Sequence, residues 1–434
     1  MNYFEQVERL YRENSDFKHA IETIKGLGKK SKVLNFSHND VDGVCSAFLL
    51  KRMLKKYGGI ETISVMPPDF KLTKKDVESF GKEGRFDLLI VSDKGTFEDY
   101  DEICEIARNV LIIDHHQPQG MPKICKVFNP RSDNKEYAAA TTLLCHMIMT
   151  KLGISGEIED FICAMGCRGD FAFDVVSGKC QPFARPFLEY VRPKIPEIFE
   201  IVKEKPTMFD TEDRTKTAIL HKITEIVHAG TLAHLYSEDF GLDIPYGPDL
   251  VLNFFIELSE TGKYPKNVEE FLSTKSGKLI GEVYEKFQND WKILEKRVKN
   301  PIHLGKVGNA SIYLIFAREI RRAEQTAFSA ILPFVAFAHM NEFKKEGEET
   351  VIIVFCPKKI GTHISMRTDG KIINCGEFLA RLAEKLRKRY PNEKISGGGH
   401  ANAAGFFASS GVPMYKVLQE LVSLTEEILT EINI

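Results

Sequence analysis

The chain has almost no net charge: 59 Lys and Arg stand against 61 Asp and Glu in 434 residues. Bulk electrostatics therefore cannot drive nucleic-acid binding, and any such surface must be local. No apolar run approaches the roughly 18 to 20 residues that a membrane span requires, so no membrane association is expected. The nine cysteines show no paired zinc spacing, and Cys163 and Cys167, four apart on a predicted helix, read as buried thiols. An odd cysteine count without a signal-like leader sets the expectation of a reducing cytoplasm. Internal repeats and low-complexity segments are also missing. What is present is a composition 43% hydrophobic, enough for more than one core and for two or three domains.

Residues 1–30 read as one or two amphipathic helices with Phe4, Val7, Leu10 and Tyr11 on one face. From Lys32 to about Cys180, short apolar strands alternate with helices, the mark of parallel βαβ units and an open α/β sheet. Residues 181–300 are rich in Lys and Glu and mostly helical. Leu279, Val283, Phe287, Trp291, Leu294 and Val298 recur there at spacings of four and three, predicting one long amphipathic helix that stops before Pro301. A second α/β unit follows from about Gly305, with strands predicted at 310–316, 350–356 and 361–367, a basic helix at 377–390, a glycine-rich turn at 397–400 and a last helix near 413–432. The expected organisation is an α/β protein of two lobes. It comprises an N-terminal helical segment (1–30), a parallel-sheet domain (31–180), a helical insert (181–304) and a smaller C-terminal α/β domain (305–434).

The chemistry gathers where apolar runs end. Leu111-Ile112-Ile113 leads into Asp114-His115-His116, and Val33 to Ser37 leads into His38-Asn39-Asp40-Val41-Asp42-Gly43. Leu88 to Ser92 leads into Asp93, and Ala164 to Gly169 leads into Asp170. Strands of a parallel sheet deliver such side chains to one rim. His38, Asp40 and Asp42, at every second position, would share one face if extended. Taken singly, Asp42-Gly43 is a common turn, Asp40 a plausible helix cap and Asp93 a loop residue. Four such endings within about 140 residues point instead to a two-metal site for hard divalent cations, of which Mn²⁺ also accepts imidazole.

These motifs resemble, in order, those of the DHH phosphoesterase superfamily, particularly archaeal RecJ-like proteins. Gly397-Gly398-Gly399-His400-Ala401-Asn402-Ala403-Ala404-Gly405-Phe406 resembles the signature of that superfamily's C-terminal associated domain, and Ser365-Met366-Arg367 the short motif preceding it. The resemblance covers roughly 32–180 and 305–410. It implies one Mn²⁺ on His38, Asp40 and Asp93, and a second on Asp42, Asp93, His115 and Asp170, with Mg²⁺ as the alternative metal. Asp114 would orient a histidine, and His116 would sit by the scissile phosphate as general acid or electrostatic stabiliser. The run Cys-Arg-Gly before Asp170 departs from the family pattern, and Asp174 is the rival ligand. Asn39 and Lys94 are expected to alternate away from the site.

In the C-terminal lobe, Gly397, Gly398, Gly399 and His400 would let backbone amides approach an anion, with Ser365 and Arg367 gripping the same substrate. The basic helix and the cluster Arg318, Arg321 and Arg322 would either follow a nucleic-acid backbone or form solvated faces. The implied activity is a Mn²⁺-dependent exonuclease on single-stranded DNA or RNA, working between the lobes and releasing mononucleotides in replication or repair. Two rivals stand beside it: a phosphodiesterase or phosphatase for short oligonucleotides, cyclic dinucleotides or adenosine bisphosphate, and a non-catalytic replisome or repair scaffold. A replication or repair partner, and self-association through the helical insert, are compatible with the resemblance.

Overall fold

The computed structural model describes residues 1–81, 85–133, 140–204, 215–316, 326–358 and 360–431. The chain is α/β and divides into two units, one containing Met1–Lys205 and Thr215–Tyr284, the other Glu285–Ile434. Residues 215–284 of the stretch expected as a separate insert thus belong to the first unit. The cluster Arg318, Arg321 and Arg322 lies outside the described residues.

The first unit is built on a parallel sheet in the order β2-β1-β3-β4-β5, formed by β1 (Val33–Ser37), β2 (Thr62–Val65), β3 (Phe86–Ser92), β4 (Ala107–Ile113) and β5 (Lys126–Phe128). Its central strands are covered on both faces, which is why they read as unbroken apolar runs. Leu34, Phe36, Leu89, Val91 and Ile112 join one core with Tyr100 and Ile103. The helices are α1 (Tyr3–Glu13), α2 (Ser15–Lys25), α3 (Val41–Gly58), α4 (Lys74–Gly81), α5 (Thr141–Lys151), α6 (Glu157–Gly169), α7 (Arg185–Val191), α8 (Ile219–Thr231), α9 (Ser237–Phe240), α10 (Gly247–Glu260) and α11 (Val268–Phe271), with a small ladder of β6 (Ile201–Val202) and β7 (Thr217–Ala218). On α1 the buried stripe is Tyr3, Gln6 and Val7, while Phe4 is 52% exposed. The expected face is rotated because Tyr3 reaches inward, its hydroxyl 2.7 Å from His146 Nδ1.

The division between units falls within α12 (Lys275–Val298), which buries Val283, Phe287, Trp291, Leu294 and Val298 as the sequence spacing predicts. The second unit carries a mixed sheet in the order β12-β13-β11-β10-β9-β8, from β8 (Ile302–Val307), β9 (Ala310–Phe316), β10 (Glu349–Lys358), β11 (Gly361–Thr368), β12 (Ile395–Gly399) and β13 (Ala403–Ser409). Helices α13 (Thr326–Ala338), α14 (Cys375–Arg389) and α15 (Met414–Glu431) complete it. Leu379, Leu382 and Leu386 of α14 pack with Ile353, Met366 and Phe406 of the sheet in one core.

The glycine run is a strand, not a turn: Gly397, Gly398 and Gly399 pair with Phe406, Gly405 and Ala404, and the reversal falls on His400–Asn402. Gly398 and Gly399 have φ of 149° and 141°, a region closed to side chains. A Cβ on Gly397 would meet Leu379 O at 2.3 Å, so glycine here lets the strand lie against α14. The basic face of α14 is largely neutralised: Lys385 and Arg381 reach Glu427, Arg389 pairs with Glu420 and Lys388 with Glu384.

Candidate metal centre

Strand register assembles the centre. Ser37 is level with Ser92, Ser92 with Ile113, and Ile113 with Phe128. The residues that follow them (His38, Asp93, Asp114 and Asn129) therefore emerge side by side at the carboxyl edge, where parallel sheets place their ligands. The expectation that His38, Asp40 and Asp42 share an extended face does not hold, because helix α3 starts at Val41. Asp40 becomes its cap, accepting from Gly43 N at 2.9 Å, and Asp42 turns inward on the first turn.

Two groups of side chains result whose ligand atoms lie within 4.8 Å of one another: His38, Asp40 and Asp93, and beside them Asp42, His115 and Asp170. Asp93 links them, its Oδ2 3.7 Å from His38 Nδ1 and its Oδ1 3.3 Å from His115 Nε2. His38 Nδ1 lies 2.8 Å from Asp40, and His115 Nε2 2.9 Å from Asp170. Asp174 is turned elsewhere, paired with Arg168 at 3.1 Å and accepting from Ser177 N at 2.6 Å. Asp114 Oδ1 lies 2.8 Å from His116 Nδ1, and its other oxygen accepts from Thr96 Oγ1 and Asn129 Nδ2 at 3.0 and 3.2 Å.

The electrostatics are those of a cation site. Burial and the neighbouring Asp170 push Asp42 up to about 7. Burial, then Asp42 and Asp40, push Asp93 well above the usual carboxylate range. Burial alone would lower His115, but the Asp170 carboxylate outweighs it and holds the imidazole well up. Against the same desolvation, His38 keeps Asp40 low, and His115 does so for Asp170. Asp93 is 1% exposed and its Oδ2 has no hydrogen-bond partner among the described residues. A buried carboxylate oxygen so placed, crowded by like charges, calls for a metal ion. The residues fit one. Asp93 also has φ of 59°, and Phe171, directly after Asp170, has 54°; these are the two positive-φ residues other than glycine among the described residues. Strain of that kind costs about 1 to 3 kcal/mol and persists where the surroundings impose it.

Several partners gave no signal in the motifs. Thr141 N and Thr142 N, opening α5, donate to the two oxygens of Asp42 at 2.7 and 2.9 Å, so a helix N-terminus holds this carboxylate. Thr141 Oγ1 donates to Asp93 Oδ1 at 3.1 Å. Phe70 sets its ring edge-on to both His38 and His116, with centroids 5.4 and 4.9 Å away. Lys94 is fully buried, donates to Asp69 O at 2.5 Å, and burial pushes it down to about 8. Asn39 donates to the Tyr246 hydroxyl at 3.2 Å. Asn129 does carry a sequence signal, since it too follows a short apolar strand. In the second unit Arg367 Nη1 donates to Ser365 Oγ, Met366 O and Ala404 O at 3.1, 2.9 and 3.3 Å. Among the described residues it makes no ion pair. Backbone N–H groups of Cys375 and Gly376 hold the Ala401 and His400 carbonyls, fixing the reversal beside Arg367's strand.

Residues 32–165 match the model of the DHH family, N-terminal domain. The chain thus carries a DHH domain, and its fold is that of RecJ-like proteins. A DHH-domain structure described as a member of a family of ribosomal proteins aligns with a TM-score of 0.62 at 16% identity, over 98% of this chain and 92% of that one. RecJ from Thermus thermophilus in complex with Mn²⁺ aligns at 0.60 and 15% identity, over 95% of this chain and 55% of that one. CDC45 from Entamoeba histolytica aligns at 0.53 and 11% identity, over 98% and 99%. No curated protein matches the chain by sequence. No described helix is long and apolar enough to cross a membrane.

Proposed function

We propose that this protein is a divalent-metal-dependent phosphodiesterase that acts as an exonuclease on single-stranded DNA or RNA. The observation that carries the reading is the meeting of two acid-and-imidazole ligand groups at Asp93. His38, Asp40 and Asp93 would hold one ion, and Asp42, Asp93, His115 and Asp170 the other. An imidazole in each set suits Mn²⁺, while the carboxylates also accept Mg²⁺. A metal pair supplies an activated water and neutralises charge on the attacking and leaving oxygens of in-line displacement.

The chain's own groups do the rest. Asp114, itself held low by His116 and fixed by Thr96 and Asn129, keeps His116 in one orientation and tautomer. His116 then donates a proton or hydrogen bond to the leaving oxygen. Thr141 and Thr142 anchor Asp42, so the second ligand group needs little rearrangement. Arg367, positioned by Ser365 and without a carboxylate partner among the described residues, binds a substrate phosphate together with the Gly397–His400 segment. Action in replication or repair, beside a protein partner, goes with this reading, as does the likeness in fold to both RecJ and CDC45.

The test uses the purified chain with Mn²⁺, single strands of DNA and RNA labelled separately at each end, a dinucleotide and adenosine bisphosphate. Stepwise shortening of the long strands is the expected result and reveals polarity. Turnover confined to the smallest substrates would assign a short-oligonucleotide phosphodiesterase. No hydrolysis of any of them would leave a binding scaffold.

A further inference from the structure

Cys104 and Cys125 bring their sulfurs within 2.9 Å of each other, on segments that meet at the edge of the first unit. Cys104 lies in a 3-10 helix, Glu98–Ile106, and Cys125 directly precedes β5. Asp101 ties the two segments together: its carboxylate accepts from the backbone N–H groups of Lys123, Ile124 and Cys125 at 2.7, 2.8 and 3.3 Å. That turn fixes the backbone on both sides of the sulfur pair. The same three residues (Asp101, Cys104 and Cys125) form a group with metal-ligand spacing. Zinc is the poorer fit, for two reasons. Thiolates on one tetrahedral zinc, at about 2.3 Å from the ion, stand roughly 3.8 Å apart. Moreover, Asp101 already spends its oxygens on three backbone donors.

We propose that Cys104 and Cys125 are a thiol–disulfide exchange site. Its oxidised form would close the loop that carries β4 and Asp114-His115-His116. Cys104 is the part-exposed member, and the thiol of Cys125 holds it below the usual thiol range. Cys125 is 8% exposed, under a surface segment that includes Ile124 at 71%. The Cys104 thiolate attacks one sulfur of a low-molecular-weight disulfide, such as oxidised glutathione, and one glutathione thiolate leaves. Cys125, giving up its proton to the glutathione thiolate released in the first step, then attacks the Cys104 sulfur of the mixed disulfide and expels the second glutathione. Two protein thiols are oxidised and one small disulfide is reduced to two thiols. The 3-10 helix so tied is the one whose Tyr100 hydroxyl donates to Lys94 O at 2.7 Å. It therefore borders the strand ends that carry the candidate ligands, yet the inference rests on the thiols alone and stands apart from the proposed activity.

The experiment equilibrates the full chain in glutathione buffers, then denatures, alkylates and maps it by mass spectrometry. The reduced buffer should give nine alkylated cysteines, and the oxidised buffer seven plus a Cys104–Cys125 linked peptide that reductant removes. Cys125→Ser should trap glutathione on Cys104, whereas Cys104→Ser should leave Cys125 unmodified. Nine alkylated cysteines in the oxidised buffer, or a link elsewhere such as Cys163 to Cys167, would overturn the proposal. So would a zinc ion that copurifies with the wild type and is lost from both variants.

Discussion

Gly43→Ala is the sharpest small perturbation that the site offers. A Cβ on Gly43 would stand 2.3 Å from His38 O, 2.5 Å from its carbonyl carbon and 2.7 Å from its Cα, where ordinary contact begins at 3.4 Å. All three atoms are backbone, so no side chain can swing aside. The first turn of α3 and the end of β1 must part by about 1 Å. That turn is pinned from three sides: Gly43 N donates to Asp40, Ser37 Oγ donates to Gly43 O at 2.6 Å, and Asp42 is held by Thr141 and Thr142. The displacement therefore reaches His38 in one ligand group and Asp42 in the other. Overpacking of this kind costs about 1 to 3 kcal/mol, which for a domain of this size lowers the melting temperature by roughly 2 to 12 °C. Disturbed ligand support lowers metal affinity about 10- to 100-fold. Calorimetric Mn²⁺ titration and thermal melting should show both effects. Gly28→Ala, with nothing within 4 Å of the added carbon, serves as the neutral control. A Gly43→Ala protein with wild-type melting and Mn²⁺ affinity would refute this reading of the α3 entrance.

Asp93→Gly should separate stability from function. It relieves the left-handed backbone and removes a buried carboxylate, so the metal-free variant should melt higher than wild type while losing Mn²⁺ binding and hydrolysis; measurable turnover would argue against Asp93 as the shared ligand. The metal-free protein should lose stability with rising pH. Because Asp42 is raised to about 7, the fold retains a proton that the unfolded chain releases near 4, so stability falls between those values. Saturating Mn²⁺ should abolish that slope in melting curves taken across the window, and a slope indifferent to metal would count against the site. Arg367→Met should raise KM about 10- to 100-fold through one lost charge-assisted contact, with Mn²⁺ affinity unchanged; unaltered KM and rate would remove the second unit from substrate binding.

Much of this architecture can be read from apolar patterning. Strand β9 coincides with the predicted 310–316, and α12 buries the four-and-three series from Val283 to Val298. The polar residues at the ends of β1, β3 and β4 converge because a parallel sheet in level register brings them to one edge, and α6 adds Asp170 at its C-terminus. Other features depend on partners remote in sequence. Thr141 and Thr142 reach Asp42 across about 100 residues through backbone N–H groups that no side-chain pattern encodes. Lys94 resembles a surface lysine until the loop that supplies the Asp69 carbonyl is in place. The Gly397–Gly399 run reads as a turn in the sequence because glycine signals turns. Here it serves a strand that lies against α14 closely enough to exclude a Cβ. The α1 face shifted by one residue because Tyr3 has a buried histidine partner that hydrophobicity alone does not reveal.

Mn²⁺ titration of the full chain by calorimetry, read alongside electron paramagnetic resonance, tests whether two ions share Asp93. Two ions per chain sharing Asp93, with exchange-coupled spectra, are expected, then one ion after His38→Ala and loss of coupling after Asp93→Asn. A single uncoupled ion in the wild-type protein, or coupling that survives Asp93→Asn, would contradict that sharing.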